Sequence, residues 1–162
     1  MKNKITKYIL LAFTCLGLQA CLFQEDDIFE KSSANRAAEN VAELQELLVN
    51  VPNGWKMEYY PGTDYSMGGI TLLCRFDGNN VTLMSEVGSV KTASGKEAFS
   101  LYKVTSEEST VLTFDSFNEF IHCFSEPIMG MNTNLEGDYE FVYMGQEDNK
   151  VILQGRRYHN TM

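Results

Sequence analysis

Apolar residues change their spacing twice along this chain. Over 8–18 they form a run of 11 residues, and from Val41 they recur at Leu44, Leu48 and Val51, three and four apart. From Trp55 onward they alternate with polar residues. A run of that first length suits the apolar segment of a signal peptide and falls well short of the roughly 20 residues that cross a bilayer as a helix. Spacings of three and four place Val41, Leu44, Leu48 and Val51 on one stripe of a helix. Glu39, Glu43 and Glu46 occupy the opposite face, as a solvated helix face does. Ser32 or Ser33 can cap its start, and Pro52 and Gly54 stop it, which predicts a helix over 32–51.

The alternating part predicts strands. Trp55-Lys56-Met57-Glu58-Tyr59 reads as one half-buried strand ended by Tyr60-Pro61-Gly62. Strands over 70–76 and 81–87 flank Asp77-Gly78-Asn79-Asn80, residue types that tolerate the positive φ of a hairpin turn. Further strands are expected over 99–104, 110–114, 117–124, 139–144 and 151–154, with Gln146-Glu147-Asp148-Asn149 turning the last pair. The segment 117–124 is apolar on both faces, through Phe117, Ile121 and Cys123 on one and Phe120 and Phe124 on the other, so a central position is expected. The fold class is mainly β: an antiparallel meander of about 7–8 strands over 52–162, open or barrel-like, with one N-terminal helix.

The first apolar run ends in Leu18-Gln19-Ala20-Cys21, after Lys2, Lys4 and Lys7. This resembles a bacterial lipobox, in which a small residue admits the peptidase and the cysteine thiol takes a diacylglyceryl group. The freed amine then takes a further acyl chain. One chain anchors only marginally, at about 0.8 kcal/mol per buried CH₂, so two or three hold a protein on a membrane. Residues 1–20 are thus expected to be a lipoprotein signal peptide, with Cys21 as the attachment point. An ordinary secretory signal beside an incidental cysteine is the competing reading. Gln24-Glu25-Asp26-Asp27 then lies in an acidic tether, 21–31. The implied location is the outer membrane, on the cell surface or the periplasmic leaflet.

Charge narrows the partners. The 162 residues hold 13 Lys+Arg and 22 Asp+Glu, a net charge of −9. Without residues 1–20 and their three lysines, 142 residues carry a net charge of −12. Such a surface repels phosphate backbones, so no nucleic-acid partner is expected. Cys74 and Cys123 remain in an oxidising compartment, either as a disulfide or as two buried small hydrophobes.

No catalytic, cofactor or metal signature is present. His122 beside Cys123 supplies too few ligands for zinc, and Asp77-Gly78-Asn79 lacks the later acid of a calcium loop. Phosphate-loop, nucleophile-elbow and His-Glu-x-x-His patterns are missing. Asp138 and Glu140 share a strand face, but glycoside hydrolysis needs two carboxyls about 5–10 Å apart across a groove. The candidates for facing a ligand are aromatic: Trp55, Tyr59, Tyr60 and Tyr65, which could stack on sugar rings or fill the core.

The segment Pro52-Asn53-Gly54-Trp55-Lys56-Met57-Glu58-Tyr59-Tyr60-Pro61-Gly62 resembles one family, together with Asp26-Asp27-Ile28-Phe29, Leu112-Thr113-Phe114-Asp115, Phe120-Ile121-His122 and Gly137-Asp138-Tyr139-Glu140-Phe141. It is a Bacteroidetes group of lipoproteins that share domain of unknown function number 4302. The resemblance implies a place near outer-membrane nutrient-import systems. It suggests a non-enzymatic, acyl-anchored accessory whose partners are the membrane and either import proteins or a glycan. A glycan-acting hydrolase and a purely structural envelope scaffold are the alternatives. Gly155 to Met162 resembles the family's turn into its next strand, where family members continue through a longer region. Either the product is truncated or the N-terminal half stands alone; a missing closing strand would leave a sheet edge exposed.

Overall fold

The computed structural model describes residues 32–128 and 133–160; Leu18, Gln19, Ala20, Cys21 and the tether lie outside these. The predicted helix forms as α1, Ser33–Val49, two residues shorter at its C-terminal end than its apolar stripe. Leu44 and Leu48 are its buried residues. Trp55 ties its last turn to the sheet, because the indole Nε1 donates to the Leu48 carbonyl at 3.0 Å. Between them Gly54 takes φ +71°, and a Cβ there would sit 2.5 Å from the Cys74 carbonyl oxygen, so this turn admits only glycine.

Among the described residues seven strands follow: β1 Trp55–Tyr59, β2 Ile70–Asp77, β3 Asn80–Ser85, β4 Glu97–Ser106, β5 Thr110–Phe114, β6 Glu140–Glu147 and β7 Lys150–Gly155. Each pairs antiparallel with the next, in the order β1-β2-β3-β4-β5-β6-β7. The sheet curls into a half-barrel with β1 and β7 as its edges. The register shifts between Tyr143 and Gly145, where Gly145 adopts φ +138°. The extra residue, Met144, belongs to β6, and such a bulge sharpens the bend of its strand.

Period-two alternation sends one set of side chains to the concave face. Cross-strand partners there include Met57 and Leu72, Cys74 and Leu83, Phe76 and Val81, and Val104 and Leu112. Phe141 meets Tyr59 and Phe114 edge-to-face, at 6.2 and 6.0 Å between ring centres. α1 lies over this face, with Leu44 and Leu48 in the same core. Cys74 is buried in it and Cys123 packs against it half-buried; both are free thiols, so the disulfide alternative falls.

The segment 117–124 is not a strand. Its Asn118 takes an extended conformation and caps a short helix, α2, Glu119–His122, accepting from the Phe120 amide at 3.0 Å. Local capping by a side-chain oxygen competes with strand pairing at this kind of residue. The two-sided apolar pattern instead reflects Phe120, Ile121 and Phe124 all entering the core. The doubly buried strand is β5, where every position is buried. On its outward side Thr113 is flanked in register by Lys103 and Glu140. Arg156 bridges Glu140, at 3.3 Å, and Glu107.

Candidate functional site

The four aromatic candidates part company. Tyr59 leaves the ligand-facing set: it is 1% exposed, and its hydroxyl donates to the Asp138 carbonyl at 3.0 Å. Burial holds its phenol far above the ordinary value. The reason is its register opposite Ile70, which turns it to the concave side. Trp55 is half-buried with its N–H already bonded to α1. Only Tyr60 and Tyr65 come together at the surface, edge-to-face with ring centres 5.3 Å apart.

These two tyrosines belong to a loop of unusual backbone. Gly62 has φ +87°, while Asp64 and Tyr65 are left-handed at φ 54° and 58°. Non-glycine residues in that region each cost on the order of 1–3 kcal/mol, and persist only where surroundings impose them. Here the surroundings come from far along the chain. The Gly62 amide donates to the Glu136 carbonyl (3.1 Å), and the Glu136 carboxylate accepts from the Thr63 amide (2.9 Å) and hydroxyl. Those bonds, the hydroxyl's first, hold the Glu136 carboxyl below its usual range. The Asn160 amide group donates to the carbonyls of Tyr60 (2.8 Å) and Gly62.

A larger hollow lies on the convex face. A groove of about 500 Å³ runs across β2 and β3 and is walled by the turn Pro52, Asn53 and Gly54. Trp55 borders both this groove and a smaller apolar cavity of about 70 Å³ at the seam between β1 and β7. The groove lies in the size range of small-ligand sites. Its outward rows follow from the register: Lys56, Leu73, Met84 and Glu97 in one, Arg75 and Thr82 in the next, which Phe99 continues beyond the groove. Leu73 is 48% and Phe99 69% exposed. Lys56 is paired with Glu58, whereas Arg75 and Glu97 have no ion-pair partner among the described residues. Of the aromatic candidates named from the sequence only Trp55 borders this groove; Leu73 signalled the rest by placing a large apolar group where the alternation turns outward.

Of the carboxylates weighed for catalysis, Asp138 serves the backbone and Glu140 an ion pair. Asp138 accepts from the amides of Arg157 (2.9 Å) and Tyr158 (3.0 Å), closing the turn after β7. Glu140 pairs with Arg156. Glu119 accepts from the hydroxyls of Thr92 (2.5 Å) and Ser89 (2.8 Å), which keeps its carboxyl below the usual range. His122 stacks on Tyr139 at 4.7 Å, and its Nδ1 accepts from the Asn118 amide at 3.1 Å. Desolvation lowers its pKa. Among the described residues no three His, Cys, Asp or Glu side chains converge as metal ligands.

The profile of a family named for a domain of unknown function, DUF4302, matches residues 25–162. The chain belongs to this family. No curated protein and no solved structure matches it. For this DUF4302 chain, then, the functional reading must come from its own groove and loop.

Proposed function

We propose that this DUF4302 chain is a lipid-anchored outer-membrane protein, acylated at Cys21, that binds a ligand or partner without catalysis as an accessory of a nutrient-import system. The convex groove carries the reading: a hollow of about 500 Å³ with exposed Leu73, and with Arg75 and Glu97 unpaired among the described residues, on a sheet whose other face is filled. The Leu18-Gln19-Ala20-Cys21 motif after a lysine-flanked apolar run supports the anchor. Support for a non-catalytic role comes from Asp138, Glu140 and Glu119, each engaged in the bonds that hold turns and loops. Affinity capture of the full chain from detergent-solubilised native envelope tests the reading. Recovery of porin-type import components, lost when Cys21→Ala releases the protein from the membrane, is the expected result. Capture of the bait alone, or unlipidated bait in the soluble fraction, would overturn it.

A further inference from the structure

The charges of the convex groove are arranged by sign. Arg75 stands on β2 and Glu97 on β4, facing the same side, with β3 between them. Arg75 is level with Thr82 and Phe99, while Glu97 is level with Met84 and Leu73, two residues along. Two strand spacings of about 4.8 Å and a two-residue offset of about 3.3 Å each put their Cα atoms roughly 12 Å apart. With the side chains reaching inward, two or three extended residues fill the remaining gap at about 3.3–3.6 Å each. On β3 the path runs between Thr82 and Met84, and Leu73 lies beside Met84, so its floor is apolar on one side.

We propose that the groove binds a short free peptide of two or three residues in one direction. Its carboxylate meets the Arg75 guanidinium, its ammonium meets Glu97, and an apolar side chain lies over Leu73 and Met84. The claim rests on the groove being the binding site and adds the class of ligand. A planar guanidinium matches a carboxylate through two parallel hydrogen bonds, and charged hydrogen bonds are the strong ones. A neutral sugar can hydrogen-bond both side chains through its hydroxyls but carries no charge to complement either, so the two opposed charges favour a zwitterion. A fatty acid would satisfy Arg75 and leave Glu97 uncompensated.

Calorimetric titration of the full chain in detergent with the tripeptide Ala-Leu-Ala, its N-acetylated and C-amidated forms, and maltotriose tests the proposal. The free tripeptide should bind, and blocking either end should weaken it about tenfold or more. Arg75→Met should cost as much as the amide and add nothing to it; Glu97→Gln should do the same with the acetyl form. Both positions are exposed, so an unchanged melting temperature confirms that each variant folds. Equal binding of free and blocked peptides, or indifference to both variants, would overturn the ligand class. Binding of maltotriose alone would overturn the peptide and leave the groove as a site. Failure of every probe would count against the groove as well.

Discussion

The concave and convex faces of β2, β3 and β4 are built by the same alternation and meet opposite fates. Inward, Leu72, Leu83 and Tyr102 are sealed under α1 and against the rings of Phe76 and Phe114. Outward, Leu73, Phe99 and Leu101 stay in contact with solvent. The two sets do not differ in residue type. What separates them is the cover, which α1 supplies to one face only. An apolar residue in a strand becomes core when a second layer arrives, and otherwise remains a surface that something else can use.

Substitutions can sharpen that contrast. Phe141→Ala, at the meeting of three rings on the concave face, should cost about 3–5 kcal/mol in urea unfolding. Asn118→Ala should come next at about 2–3 kcal/mol. It removes the cap of α2 and leaves the Ala98 carbonyl (3.3 Å) and the Ser100 hydroxyl (3.1 Å) without their donor. Phe99→Ser should change stability by no more than about 0.5 kcal/mol, because its ring has little burial to lose. A loss there as large as that of Phe141→Ala would break the comparison and make the convex face a second core.

Acid should distinguish further sites. His122 has a folded pKa below the ordinary 6.5 because burial disfavours its charge. Between those two values the unfolded chain binds more protons, so stability is complete above about 6.5 and falls as pH drops through the window. His122→Phe should abolish that slope in pH-dependent melting, since a phenyl ring can stack on Tyr139 but does not titrate. Glu136 has a carboxyl held below 4.5 by Thr63, so its contribution is present above that value and is lost on further acidification. Hydrogen exchange in the loop that carries Tyr60 and Tyr65 should accelerate there, ahead of the concave core. Simultaneous release of both would deny that Glu136 holds the loop.

Much of the architecture was written in local patterns. The stripe Val41, Leu44 and Leu48 marks α1, the Trp55–Tyr59 alternation marks β1 to the residue, and Asp148-Asn149 turns β6 into β7. Each depends on neighbours within a few positions, whose identities the chain states directly. The segment 117–124 misled because apolar character on both sides fits a central strand and a buried helical turn alike. Asn118 beside Glu119 was the available sign of a helix start.

The site was legible only in fragments. Tyr60 and Tyr65 were named from composition, yet their loop is held by Glu136 and Asn160, and the bond from Asn160 to Tyr60 spans 100 positions. Tyr59 left the candidates because its register turns it to the concave side, where its hydroxyl meets the carbonyl of Asp138, 79 positions away. By itself the sequence determined the helix, most of the strands, their alternation and the acidic charge. The tertiary structure decided which face α1 covers, which aromatic rings that cover buries, and where Arg75 and Glu97 stand across an open groove. Periodicity is a property of adjacent residues, whereas burial depends on what folds over them from elsewhere in the chain.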